Sequence, residues 1–188
     1  MHHNPPQIFV FFGMIATGKS TLAKMWAKAH EMYYCNSDVI RKELARSTVD
    51  GSEKSSFGQG IYSADFSQKT YSLLLARAEA ALKNNQSIVL DASYSLTENR
   101  QHVSTLADTY KVPIHFIYCT CPEDEMHRRM DERAKDAQAV SDGRWDIYLQ
   151  QKETFEAPDH LADTLIRFDT SSPPEQLLEE LEQRLYNR

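Results

Sequence analysis

Glycine is scarce in this chain, with 6 among 188 residues, and cysteine scarcer still, with 3. Cys35, Cys119 and Cys121 are odd in number and form no Cys-x-x-Cys pair. That excludes a disulfide framework or a zinc knuckle and leads us to expect a reducing cytoplasmic setting, the thiols lying buried or half-buried near strand ends. The 7 histidines include no His-Glu-x-x-His motif and no i,i+4 pair, so no metal centre built from protein ligands alone is expected. Long apolar runs are also missing. The longest, Ile8–Phe12, is strand-sized and far short of the ~18 residues a membrane span needs. No Lys or Arg precedes it, so a secretory signal is not expected. Basic residues are the minority charge, 21 against 27 acidic, for a net charge of −6. A long nucleic-acid duplex normally needs a basic face; the balance argues against one without excluding a local basic groove.

What remains is ordinary globular material, 41% hydrophobic and 26% charged. There is no internal repeat, low-complexity tract or Gly/Ser linker, and the length suits one domain over residues 1–188. Strand-like apolar runs alternate with helical patterns, the signature of a parallel α/β sheet. Strands are predicted at Gln7–Phe12, Met32–Cys35, Ser87–Asp91, Pro113–Cys119 and Thr164–Asp169. Helices are predicted at Lys19–Ala29, Val39–Ala45, Phe66–Lys83 and Asp142–Thr154, with a polar loop over Thr48–Gly60. Ser95-Leu96-Thr97-Glu98 and Thr120-Cys121-Pro122-Glu123 read as capping boxes opening helices to about Tyr110 and Asp136. Ser172-Pro173-Pro174-Glu175 caps a last helix to Leu185.

Two of the six glycines fall in Gly13-Met14-Ile15-Ala16-Thr17-Gly18-Lys19-Ser20, which fits the phosphate-loop pattern GxxxxGK[ST]. The context is the required one, a buried strand before and a helix after. Gly13 and Gly18 permit positive φ, so that backbone N–H groups converge on a phosphate, and the following helix adds unpaired donors and a positive dipole end. Lys19 would bridge the β- and γ-phosphates and the Ser20 hydroxyl would ligate Mg²⁺. The nucleotide-binding set is Gly13, Met14, Ile15, Ala16, Thr17, Gly18, Lys19, Ser20 and Thr21.

Three further elements bear on the chemistry. Asp38, just after the second strand, could accept a proton from an attacking hydroxyl, with Arg41 on the same helix face; a plain helix cap is the competing reading. Asp91 ends the third strand, where a carboxylate usually orients Mg²⁺ or its water. In the charged helix after strand 4, Arg129 and Arg133 are i,i+4 neighbours, with Arg128 one position off, able to neutralise a phosphoryl group or simply to face solvent.

The segments GMIATGKS, NSDVIRKEL, SIVLDASY and CPEDEMHRRMDER resemble the P-loop kinase group of small "AAA-domain" kinases. That group is similar to polynucleotide 5′-hydroxyl kinases, gluconate kinases and the ATP-binding half of aminoglycoside-phosphotransferase-like fusion proteins. The resemblance runs from about Gln7 to Leu185. It implies a three-layer α/β P-loop NTPase fold with a five-stranded parallel sheet in the order 2-3-1-4-5 and a helical lid at about residues 122–144. It also implies Asp38 as the base that activates an acceptor hydroxyl, Arg41 on the acceptor side, and Arg129 or Arg133 at the phosphates. Ala16 departs from relatives that carry a third glycine there, and Ser141–Arg144 has no assigned role. The resulting expectation is a cytoplasmic kinase, a monomer or weak dimer without membrane contact. It would use ATP or GTP with Mg²⁺ to phosphorylate a small-molecule hydroxyl held between Asp38 and the stretch Arg46–Asp65. The alternatives are a polynucleotide 5′-hydroxyl kinase, with Tyr33, Tyr34, Tyr62, Tyr71 and Tyr94 as stacking candidates, and a non-enzymatic nucleotide-binding module.

Overall fold

A computed structural model describes residues 5–47, 63–135 and 145–186. The Thr48–Gly60 stretch, Tyr62, Asp136 and the Ser141–Arg144 segment lie outside the described residues. Five parallel strands form one sheet in the order β2-β3-β1-β4-β5. They are β1 (Ile8–Phe12), β2 (Tyr33–Asn36), β3 (Ile88–Asp91), β4 (Ile114–Thr120) and β5 (Leu165–Asp169). The helices are α1 (Lys19–Ala29), α2 (Ser37–Ser47), α3 (Ala64–Lys83), α4 (Thr97–Tyr110), α5 (Glu123–Ala134), α6 (Trp145–Thr154) and α7 (Pro174–Tyr186).

β1 is central and every one of its five residues is buried, which is why its sequence is continuously apolar rather than alternating. Ile8, Val10 and Phe12 pack with Leu74 and Ala78 of α3 and Val103 and Ala107 of α4. Phe9 and Phe11 face the other layer, against Leu22 and Trp26 of α1 and Leu177 and Leu181 of α7. Each such side chain removed from water contributes about 1.5–3 kcal/mol, so the two faces of β1 anchor both helical layers. A third cluster joins Ile15 and Ala16 of the glycine loop to Met126 and Met130 of α5 and Ile147 and Tyr148 of α6. Among the described residues no helix is long and apolar enough to cross a membrane.

Most boundaries agree with the sequence reading to within two residues, and the exceptions have local causes. The Ser95 capping box does not form: Leu96 precedes α4 without a side-chain cap, and the Thr97 N–H donates instead to Glu156 Oε2 at 2.5 Å. Arg100 draws the chain out of the box geometry. Its fully buried guanidinium donates to the carbonyls of Tyr94 (2.5 Å), Ser95 (3.2 Å) and Glu156 (2.9 Å) and to Thr97 Oγ1 (3.0 Å). The second box is displaced too, because Pro122 takes the cap position of α5 and leaves it without a side-chain cap. α2 begins at Ser37, two residues earlier than predicted, because Asn36 Oδ1 receives the N–H groups of Asp38 (3.0 Å) and Val39 (3.1 Å).

Candidate active site

The carboxyl edge of the sheet carries the glycine loop, which joins β1 to α1. Gly13 has φ +140°, and a Cβ there would stand 2.4 Å from the Cys119 carbonyl oxygen, so β4 leaves room only for glycine. Gly18 has φ +76°, with Arg129 Nη1 3.0 Å and Thr170 Oγ1 3.1 Å from a would-be Cβ. Ala16 adopts the left-handed conformation at φ 62°, at a cost of about 1–2 kcal/mol. Burial of its methyl beside Met126 and Met130 works against that cost. Thr17 Oγ1 donates to the Met14 carbonyl at 2.8 Å, and the Lys19 ammonium to the same oxygen at 3.3 Å. The first intrahelical donors of α1 are Thr21 and Leu22, both to Gly18 O, so the N–H groups of Gly18, Lys19 and Ser20 lie ahead of the helical ladder. An anion seated there meets convergent donors and a positive helix end.

One wall of this loop is built by Arg129 and by a residue that the sequence did not advertise, Thr170. Thr170, fully buried after β5, donates through its hydroxyl to the Thr17 carbonyl at 2.6 Å and lies 3.2 Å from Thr120 O. Arg129 closes the same corner: Nη2 donates to Thr170 O at 2.7 Å, Nη1 reaches Ala16 O at 3.5 Å, and Nε pairs with Glu125 at 2.7 Å. Hydrogen bonds from Arg128 and then Arg129 hold the Glu125 carboxyl down at about 2. Arg129 is thus part of the frame behind the loop. Arg133, one turn further on, is partly exposed and makes no hydrogen bond or ion pair among the described residues.

Asp91 is fully buried at the end of β3. Its Oδ2 accepts from the Tyr34 hydroxyl at 2.5 Å and from Asn36 Nδ2 at 2.7 Å, while Oδ1 is buried without a partner among the described residues. Burial, followed by the adjacent Asp91 charge, pushes the Tyr34 phenol far up, so Tyr34 stays a donor. One carboxylate oxygen is held by two donors and the other is buried without a partner among the described residues, a donor set that could orient the hydration shell of Mg²⁺. Ser20 lines the neighbouring cavity, where its hydroxyl could ligate the ion directly.

Beyond the loop opens a cavity of about 880 Å³, lined by Lys19 and Ser20 at one end and by Asp38 and Arg41 of α2 beside them. Tyr71 and Gln68 of α3, Asn99 of α4 and Gln151 of α6 line the rest. The Asp38 carboxylate makes no hydrogen bond among the described residues, and burial raises its pKa, an effect opposed first by Lys19. Arg41 is buried and donates to Ser67 Oγ at 3.3 Å. Tyr71 steadies the floor: its hydroxyl accepts from the Tyr94 N–H at 3.1 Å and shares a 3.0 Å hydrogen bond with Ser93 Oγ. Lys19, Ser20, Asp38 and Arg41 therefore share one space, Asp91 is hydrogen-bonded to Asn36 in its wall, and Arg129 reaches the loop at Ala16 without lining the cavity.

A buried central strand, a glycine loop feeding a helix and the strand order 2-3-1-4-5 define a P-loop kinase fold. Residues 8–158 match the P-loop family AAA_33, described as AAA domain, and the chain belongs to that family. An uncharacterized protein of Mycobacterium tuberculosis (strain ATCC 25618 / H37Rv) is 27% identical over 177 residues, covering 94% of this chain and 34% of that protein. The chain thus spans about a third of the length of the curated relatives it matches. Among solved structures, an unliganded sugar kinase from Janibacter sp. HTCC2649 superposes with a TM-score of 0.65 at 19% identity, covering 96% of this chain and 94% of that one. A gluconokinase from Sinorhizobium meliloti 1021 gives 0.61 at 19% identity, covering 97% of both. At these identities the likeness establishes the fold, and its structural neighbours are phosphotransferases.

Proposed function

We propose that this chain is an ATP- or GTP-dependent kinase that transfers the γ-phosphoryl group to a hydroxyl of a small molecule. The observation that carries the reading is the single cavity into which both the loop residues Lys19 and Ser20 and the carboxylate of Asp38 open. A nucleotide with its β-phosphate in the loop directs its γ-phosphoryl into that cavity. An acceptor hydroxyl lying between it and Asp38 is then in line for attack.

The chain's own groups divide the work. Lys19 leaves the Met14 carbonyl and neutralises the phosphates as a point charge. Asp38 orients the hydroxyl and takes its proton as the new P–O bond forms. Arg41 lines the acceptor side and balances the added negative charge. Arg129 holds the corner made by Ala16 and Thr170 rather than reaching the cavity, which leaves Arg133 as the lid arginine free to approach the phosphates. Ser20, and Asp91 through water, would hold Mg²⁺, which would supply charge neutralisation at the phosphates.

The supporting test is a transfer screen with γ-labelled ATP and Mg²⁺ against gluconate, ribose, adenosine, kanamycin and a 5′-hydroxyl oligonucleotide. Labelled product from a small molecule, abolished by Lys19→Ala, supports the reading. Labelling confined to the oligonucleotide favours a polynucleotide kinase. Nucleotide binding without transfer to anything leaves only a binding module.

A further inference from the structure

α6 contributes the face Ile147, Gln151 and Thr154 to the cavity; Ile147 packs against the glycine loop, and Gln151 hydrogen-bonds it. Its Oε1 accepts the Ile15 N–H at 2.8 Å. An amide side chain has one acceptor end and one donor end, so a backbone N–H on the oxygen fixes which way round the group sits. The NH₂ end is consequently the one left to serve the cavity. Ile15 adjoins Met14, whose carbonyl holds the resting Lys19 ammonium. Both donors are thus referenced to consecutive residues of the loop, and Lys19 and Gln151 line the same cavity as Asp38. Ile15 itself is locked by packing against Met126, Ile147 and Tyr148, so the loop and α6 hold Gln151 in register.

We propose that Gln151 is a further catalytic residue, its Nε2 donating a hydrogen bond to an equatorial oxygen of the phosphoryl group as it passes from nucleotide to acceptor. This rests on the kinase reading above. Negative charge is spread over those oxygens in the transition state, and a donor already oriented before the reaction needs no reorganisation to meet it. The loop bond supplies that orientation. It also separates two roles: the oxygen ties α6 to the loop, and the nitrogen acts on the phosphoryl.

The binding arm of the test needs no identified acceptor. Thermal stability is measured with MgADP alone and with MgADP plus aluminium fluoride, a planar mimic of the phosphoryl in transit, for the parent, Gln151→Glu and Gln151→Met. Glutamate keeps an acceptor for Ile15 but has no donor; methionine keeps neither. The parent should gain further stability from the fluoride. Both variants should retain the MgADP shift, lose the extra gain, and transfer phosphoryl to the best acceptor of the screen roughly 10²-fold more slowly. An extra gain preserved in both variants, absent from the parent, or lost only in Gln151→Met overturns the donor role. A parent that shows no MgADP shift overturns the kinase reading itself.

Discussion

Replacing Asp38 by asparagine separates chemistry from architecture. The N-terminus of α2 is capped by Asn36 Oδ1, at 3.0 and 3.1 Å from the N–H groups of Asp38 and Val39, so Asp38 is not the cap. Its carboxylate loses no hydrogen bond to the described residues on amidation. What it loses is a favourable place in the first turn of a helix, worth about 0.3–1 kcal/mol. Relief of the burial that raises its pKa offsets this. The variant should therefore melt within roughly 4 °C of the parent. MgADP affinity should hold within about threefold, because the nucleotide donors belong to the loop and α1. Turnover should fall ~10²–10⁴-fold, about 2.7–5.4 kcal/mol of barrier, the usual cost of removing a general base. The assay is steady-state transfer from γ-labelled ATP to the best acceptor of the screen, with calorimetry for MgADP on the same preparation. Turnover within threefold of the parent would refute the reasoning.

Five further outcomes are expected. Because burial lifts the Asp38 pKa above its ordinary 3.8, and the working form is the carboxylate, turnover should rise with pH across a limb centred above that value; Asp38→Asn should abolish the limb in a pH–rate profile. The same shift makes ionised Asp38 cost stability as pH climbs from the ordinary pKa through the raised one, so any thermal gain of the variant should be largest above it, in melts across pH. Asp91→Asn should raise the Mg²⁺ concentration needed for half-maximal turnover, with Tyr34 still able to bond the retained amide oxygen, as read by Mg²⁺ titration. Gly13→Ala should lose nucleotide affinity in calorimetry, since its Cβ would stand 2.4 Å from a backbone oxygen of β4. Arg100→Met should destabilise the fold by roughly 3 kcal/mol in urea unfolding, because the carbonyls of Tyr94, Ser95, Glu156 and Ala157 and the Thr97 hydroxyl lose a common buried donor.

The central strand and the glycine loop were legible because each rests on a local pattern, a continuous apolar β1 and glycines where φ is +140° and +76°, whereas the strand order followed only from the resemblance to P-loop kinases. Asp91 was legible as a polar residue ending an apolar strand. The residues that complete the site were not, since they act across the fold. Thr170 is an ordinary threonine after β5 until its hydroxyl meets Thr17, 153 positions away. Gln151 sits on an unremarkable polar helix and matters through a loop N–H 136 positions distant. Asn36 could have been read as the cap of α2, since it precedes Ser37 directly, but Asp38 competed for that role in sequence. The two misplaced capping boxes teach the same lesson: a local hydrogen-bond motif yields to a buried arginine or to a proline in the cap position.

The central claim is that nucleotide and acceptor meet across the cavity beyond the glycine loop, and blocking that cavity from the far side tests it most directly. Ser72 of α3 is exposed, lines the cavity and takes no part in the loop. Ser72→Trp should fill acceptor space without disturbing the nucleotide. MgADP binding should stay within about threefold while transfer to the small-molecule acceptor falls tenfold or more. Transfer that continues undiminished in this variant, with its fold and MgADP affinity intact, would contradict the assignment of the cavity as the acceptor site.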